Sequence, residues 1–350
     1  MTDPHEITIA ALSVSHCYLC GVPGEPLYSN LEDRLFEAPG SWNLRRCPEC
    51  GLAWLDPMPT KETIGLAYKN YYTHEDEVFR NTEGRLRSLL KRALQFIKGG
   101  YLAWRYGYHT AGTLFQKLTG ALLLLHPGRR AALDQSILWL KAKPGGRLLD
   151  VGCGSGALLE TFRSLDWRVE GVEVDPKAAE QARSKGLTVR LGTLDEQQYP
   201  PDFFDGITLS HVIEHVHDPI GLLRECRRIL RPGGLLVATT PNLESWGHSK
   251  FQSAWRGLEP PRHLYLFTLR SMESSARKAE FAIQTLRTSP VGAPFIFEAS
   301  RVIASAGRYR IDSVAPLGER LRSRIFFWLE WALLKWKRDL GEELVLIAEK

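Results

Sequence analysis

A chain of 350 residues, 44% hydrophobic and 24% charged, has a globular composition and can bury a sizeable core in two domains. Forty-five Lys and Arg against forty Asp and Glu leave a net charge of only +5. No apolar run follows a basic start, the longest apolar run (Ala121–Leu125) is far too short to cross a bilayer, and six cysteines in a chain of this size are no disulfide framework, so we expect a cytoplasmic protein.

The first motif is Cys17-x-x-Cys20, followed after 26 residues by Cys47-x-x-Cys50, with Gly21 and Gly51 directly after each pair. Four thiolates in two such turns make a closed tetrahedral zinc site with no open position, hence a structural one. A redox dithiol would need a single C-x-x-C in a thioredoxin-like context, which is absent. Cys153 and Cys226 have no ligand spacing. We place this zinc ribbon in residues 1–60.

Residues 80–147 hold thirteen Lys or Arg against Glu83 and Asp134, a local charge of +11. Leu86, Leu89, Leu90, Ala93, Leu94 and Ile97 recur at helical spacing, and Tyr101, Trp104, Tyr106 and Tyr108 follow. A basic amphipathic helix with aromatics suits an anionic surface, so peripheral membrane association through residues 80–110 is one expectation. A helical connector over residues 61–143 with a solvated basic face is the other.

Arg147-Leu-Leu-Asp-Val-Gly-Cys-Gly-Ser-Gly156 reads as a strand, a tight glycine turn and the start of a helix. Glycine is needed where the backbone takes positive φ or approaches a ligand. The spacing is G-x-G-x-G rather than the dinucleotide G-x-G-x-x-G, and Asp150 precedes it. An acid there repels a pyrophosphate and attracts a ligand carrying an ammonium or sulfonium, as S-adenosylmethionine does. The second strand, 169–174, places Glu173 at its tip, 21 residues after Gly152, where adenosine ribose hydroxyls are gripped. Asp175 before Pro176 suits a helix cap instead. Further strands are expected at 188–191, 203–210, 235–239, 281–286 and 343–348, with a Pro-Gly-Gly turn before the fifth.

Asp150–Gly156, Gly171-Val-Glu-Val-Asp-Pro176, Phe204-Asp205, His211-Val-Ile-Glu-His-Val-His-Asp-Pro219, Leu230-Arg-Pro-Gly-Gly234 and Thr240-Pro-Asn242, taken together, resemble the class I S-adenosylmethionine-dependent methyltransferases. The resemblance is to the branch that methylates sugars, quinones and small metabolites, and it covers residues 144–290. It implies an α/β fold: a Rossmann-like seven-stranded sheet with one reversed strand and helices on both faces, over residues 144–350, with a helical insertion at about 291–340. It also implies cofactor contacts from Asp150, Gly152, Gly154, Gly156, Glu173, Thr193, Leu194 and Ser210. Some methyltransferases of deoxysugars carry a comparable N-terminal zinc module, and Asp56-Pro-Met-Pro-Thr60 with Tyr68, Tyr71 and Tyr72 extends the likeness to residues 17–75.

The resemblance points to His263 as the catalytic base, and His211 and His215 are further catalytic candidates. His263, in Glu259-Pro-Pro-Arg-His263, lies where related sugar methyltransferases place a general base. His211 and His215 open the loop facing the methyl group. Certain quinone O-methyltransferases carry Glu-x-x-Glu-His here and bind a divalent cation. This chain has His211 for the first Glu, and Glu214 with His215 can equally shape the loop through hydrogen bonds. The run 325–336 is apolar nearly all round a helix and suits burial, an apolar substrate site, a second copy or a membrane interface. The expected acceptor is a hydroxyl or activated carbon of a small molecule: a sugar, a glycan or a lipid-linked intermediate. Against nucleic acid, no Asn/Asp-Pro-Pro-Tyr follows the fourth strand. An RNA methyltransferase and a non-catalytic cofactor-binding scaffold are the alternatives.

Overall fold

The structure, a computed structural model, describes residues 8–69, 85–108, 114–310 and 317–350. Tyr71, Tyr72 and Glu83, named above, lie outside the described residues. In chain order the strands and helices are β1 (Ala11–Leu12), β2 (Glu25–Leu31), β3 (Trp42–Arg46), β4 (Ala53–Leu55), β5 (Met58–Pro59), α1 (Arg85–Tyr106), α2 (Leu114–Gly120), α3 (Pro127–Ser136), β6 (Arg147–Val151), α4 (Ala157–Ser164), β7 (Arg168–Glu173), α5 (Pro176–Ser184) and β8 (Thr188–Leu191). Then come β9 (Phe204–Ser210), α6 (Pro219–Ile229), β10 (Leu230–Pro241), α7 (Trp246–Phe251), β11 (Tyr265–Leu266), α8 (Leu269–Lys278), β12 (Ala282–Ser289), α9 (Ala293–Ala306), α10 (Leu317–Leu333) and β13 (Glu343–Glu349). Among the described residues no helix is long and apolar enough to cross a membrane.

The main sheet has seven strands in the order β12-β13-β10-β9-β6-β7-β8. β6, β7 and β8 are parallel, in register from Arg147 opposite Arg168 and from Glu170 opposite Thr188. β12 and β13 are antiparallel, which makes the sheet mixed. Leu148, Leu149, Phe204, Ile207 and Leu209 are fully buried, as strands covered on both faces require. This is the seven-stranded α/β sheet with a reversed strand that the resemblance implies.

Two compact units are distinguishable. One comprises residues 72–208 and 229–235, the other residues 1–71, 209–228 and 236–350. In the first, Asp205 receives the Arg147 amide (2.8 Å), the Arg231 guanidinium (2.9 Å) and the Lys143 ammonium (2.7 Å). This buried carboxylate holds Arg231 in an extended strand. β10 therefore begins at Leu230, ahead of the Pro-Gly-Gly turn from which the sequence led us to start it.

The aromatics after α1 also depart from expectation. Tyr101, Tyr106 and Tyr108 are buried, and only Trp104 faces solvent. Tyr101 and Tyr106 both donate to Asp134 at 2.8 Å, and Tyr108 donates to the Leu140 carbonyl. The half-buried Asp134 gives Tyr101 and Tyr106 an acceptor, so they anchor the helices instead of lining an outer face. α1 crosses α2 at two glycines: a Cβ on Gly100 would sit 1.8 Å from the Gln116 carbonyl oxygen.

In the second unit, β2, β3 and β4 form an antiparallel sheet, and β11 joins it as a fourth strand, Tyr265 opposite Trp54. The N-terminal ribbon therefore does not stand apart: the segment that follows His263 is one of its strands. The fully buried Arg262 fixes this join, with both guanidinium nitrogens on Asp33 at 2.8 Å and Nε on Glu259 at 3.0 Å. On α10, Phe326 and Glu330 are buried while Ile325, Trp328 and Leu329 are exposed, so the helix buries one side rather than all round.

Candidate active site

The glycine turn after β6 is built locally. Gly152, Gly154 and Gly156 have φ of +70°, +52° and +85°, a region that L side chains rarely adopt. A Cβ on Gly154 would meet nothing within 4 Å. On Gly156 it would lie 2.3 Å from Leu187 Cδ1 and 3.1 Å from Ala182 Cβ. Gly156 therefore also serves close packing against Ala182 and Leu187. Gly154 keeps an open lip.

Two carboxylates face this turn. Glu173 accepts the Gly154 amide at 2.7 Å and the Asp175 amide at 2.9 Å, so it holds the loop in shape and retains lone pairs for a ligand. Asp150 is buried and accepts from Thr208 Oγ1 at 2.7 Å. Burial pushes its carboxyl up to about 7; the Thr208 bond opposes this and the Glu173 charge adds to it. A cationic ligand would restore the ionised form. The residues thus fit a ligand carrying an ammonium or sulfonium. Asp175 caps α5 through the Lys177 amide, the role its place before proline indicated.

The other expected cofactor contacts are less distinctive. The exposed Thr193 gives its amide to Glu196 at 2.8 Å, and Leu194 is buried. The turn is tied to the site at Gly192, whose amide donates to the Glu173 carbonyl. Ser210, exposed at the end of β9, receives Thr239 Oγ1 at 3.4 Å.

The histidines form a separate cluster in the second unit. His211 has a left-handed φ of +54°, costly for a residue with a Cβ, and its amide is held by the Thr239 carbonyl. Its Nδ1 lies 3.2 Å from Glu214 and its Nε2 3.1 Å from Glu343. Burial opposes its charge, but the two carboxylates prevail and raise it to about 10. Glu214, where burial alone would act upward, is held down to about 2 by His211. The two carboxylates thus favour the charged form of His211, in which both ring nitrogens donate.

His215 and His263 differ from it. His215 Nδ1 lies 3.0 Å from the Arg262 carbonyl and 3.1 Å from the Tyr68 hydroxyl. His263 Nδ1 lies 2.8 Å from the Gly257 carbonyl. A carbonyl only accepts, so both rings carry their proton on Nδ1 and present Nε2 as a lone pair. The rings meet edge to face, centroids 4.8 Å apart. His263 is only 4% exposed, and burial lowers it to about 4, whereas His215 is half-buried. Glu214, His215 and His263 offer one ligand atom each within 4.8 Å of one another, and Glu214 Oε2 is buried without a hydrogen-bond partner among the described residues.

The four cysteines converge as the spacing predicts. Their sulfurs all lie within 4.8 Å, with Cys17 and Cys50 3.7 Å apart, close to the about 3.8 Å edge of a tetrahedron with Zn–S bonds of about 2.3 Å. The two turns are alike: the Gly21 and Gly51 amides return to the Cys17 and Cys47 carbonyls, and the Cys17 and Cys47 amides to Val22 and Leu52. The chemistry and spacing fit zinc.

Sequence reasoning missed the residues that join these clusters. Tyr18, inside the first knuckle, donates to Asp218 and accepts from the Ile220 amide. His217 reaches the Pro59 carbonyl at 2.7 Å, and the Leu264 amide donates to the Glu214 carbonyl at 2.8 Å. The histidine loop is therefore propped on the ribbon. Only Tyr68 carried a signal, as an aromatic after the second knuckle.

A family model described as a methyltransferase domain matches residues 126–286. Among curated proteins, the ubiquinone biosynthesis O-methyltransferase of Xanthomonas campestris is 35% identical over 108 residues, which are 29% of this chain and 45% of that protein. The protein of the same name from Cereibacter sphaeroides is 39% identical over 104 residues, 28% of this chain and 42% of that one. The chain thus spans less than half the length of the relatives it matches. Among solved structures, an S-adenosylmethionine-dependent methyltransferase from Mesorhizobium loti superposes with a TM-score of 0.43 at 18% identity, over 63% of this chain and 98% of that one. Residues 126–286, which help to build the seven-stranded sheet, thus match a methyltransferase domain.

Proposed function

We propose that the chain transfers a methyl group to a hydroxyl or activated carbon of a small molecule, a sugar, glycan or lipid-linked biosynthetic intermediate being the acceptor class. The observation that carries the reading is the buried Asp150 carboxyl beside Glu173 and the open lip at Gly154, a site short of a cation. S-adenosylmethionine, when bound, supplies a methyl carbon activated by its sulfonium. Asp150 and Glu173 hold the cationic and hydroxyl parts of the donor. His215 takes the acceptor's proton at Nε2 while its Nδ1–H stays on the Arg262 carbonyl, and His263 supports that ring. This moves the base from His263, where sequence placed it, to the more accessible neighbour. The names of the relatives support oxygen as the acceptor atom. Cys17, Cys20, Cys47 and Cys50 hold zinc in a structural role, since four thiolates leave no open position.

Calorimetry with S-adenosylhomocysteine and NAD tests the donor site: the first binds and the second does not. Transfer of labelled methyl is then measured to sugar nucleotides, phenolic quinone precursors and lipid-linked sugars, with RNA in parallel. Transfer to RNA alone would overturn the small-molecule reading, and binding with no transfer to any acceptor would favour a cofactor-binding scaffold. A second reading rests on the partnerless Glu214 Oε2: Glu214, His215 and His263 together hold a divalent cation. In that case a second metal equivalent and turnover disappear together in His263→Ala. Turnover that survives chelation of every metal but the cysteine-bound one sides with the proton-acceptor reading.

A further inference from the structure

Residues 85–133 contain nine Lys or Arg and no Asp or Glu. Within them the hairpin of α1 and α2 leaves an unusual outer surface. Phe115, Leu118, Leu122 and Leu125 fall at intervals of three, four and three residues and are 67%, 64%, 54% and 82% exposed. Phe96 of α1 adds to this stripe, its ring 6.3 Å from Phe115. The cause lies in the packing. α2 meets α1 through Gly100 and Gly120, backbone against backbone, and Leu123 alone of the leucines in 122–125 turns inward. The larger apolar side chains are left outside the contact. Arg92, Lys98, Arg105 and Arg129 are exposed on the same hairpin and the short helix after it.

We propose that this hairpin docks on an anionic lipid bilayer, with Phe115, Leu118, Leu122 and Leu125 entering the headgroup boundary and the cations meeting lipid phosphates. The charge pattern selects the occupant: an acid-free basic stretch complements an anionic surface, and aliphatic side chains exposed by half or more gain from acyl chains. RNA would satisfy the cations but gives such leucines nothing to bury against. The surface also differs from the one the sequence indicated, because Tyr101, Tyr106 and Tyr108 are committed to the interior. The proposal is independent of which acceptor is methylated.

The test is flotation of the whole protein with vesicles of phosphatidylcholine alone or with about one-third phosphatidylglycerol, at 0.1 M and 1 M salt. The protein floats with the anionic vesicles at low salt, and less of it does so at high salt, where the Debye length falls from about 10 Å to about 3 Å. The double variant Leu118→Ser/Leu125→Ser, at exposed positions that leave the fold intact, loses at least about tenfold in partitioning. Trp336→Ser, exposed on another part of the chain, leaves flotation unchanged. Three results would overturn the proposal: no flotation, anionic flotation that the leucine variant does not reduce, and salt-sensitive RNA binding without flotation. Self-association that the leucine variant abolishes, with no vesicle binding, would likewise assign the stripe to a second copy.

Discussion

The glycine turn and the histidine cluster are built in opposite ways. Asp150, Gly154, Glu173 and Asp175 lie within 26 residues of chain, and the bonds from Glu173 to the Gly154 and Asp175 amides stay inside that span, with Thr208, Lys185 and Gly192 reaching it from outside. The histidine cluster draws on Tyr68, His211, Glu214, His215, Gly257, Arg262, His263 and Glu343, and the Cys17–Cys20 knuckle props its loop through Tyr18 and Asp218. A locally built site keeps its geometry while a strand and a helix persist. A site assembled from distant segments takes its hydrogen-bond partners from neighbours that only the fold supplies, so three histidines of one chemical type end between two carboxylates, half-buried on the Arg262 carbonyl, and buried on the Gly257 carbonyl.

The largest expected effect separates the two regions by function. His215→Asn lowers turnover by about 10² to 10⁴, the usual contribution of a general base, and leaves S-adenosylhomocysteine affinity unchanged. Steady-state rates and calorimetry on the same preparation check both halves. Equal losses in affinity and turnover would show that the two regions are not separable.

Next comes the buried ion pair behind the cluster. Arg262→Ala strands Asp33 and Glu259 in the interior and costs about 3–5 kcal/mol, read by urea unfolding. Removing the cysteine-bound metal acts on the same region more gently. It lowers turnover through the Tyr18–Asp218 prop while S-adenosylhomocysteine still binds, and metal analysis gives about one zinc per chain beforehand.

On the glycine side, Gly154→Val combines strain at φ +52° with occupation of the open lip, and weakens S-adenosylhomocysteine binding by about tenfold or more without touching the four-cysteine cluster. The smallest effect is one of pH. Asp150 is half-protonated near pH 7 in the free protein, and a cationic ligand prefers its ionised form. Below that pH, binding must expel a proton, so affinity falls as pH drops, by up to about tenfold per unit, and levels off above pH 7. Thr208→Val removes the bond that holds the carboxyl down and moves this fall to higher pH.

The zinc knuckles, the strand–glycine–helix turn, the Glu173 tip and the Asp175 cap were all legible in the sequence by itself. Each depends on backbone conformation or on spacing over a few residues, and local chemistry dictates it. The seven-stranded sheet with one reversed strand followed from the resemblance that these units carry. The tertiary structure alone decided what Gly156 packs against, since only Leu187 and Ala182 reveal what its Cβ would strike. It likewise decided that Asp134 draws Tyr101 and Tyr106 inward, and that β11 makes the segment beside His263 part of the ribbon. No spacing rule anticipates these, because each depends on which distant groups the fold brings together. His211 shows the reason most directly. Its charge is favoured by Glu214, three residues on, and by Glu343, 132 residues away in sequence and 3.1 Å away in space.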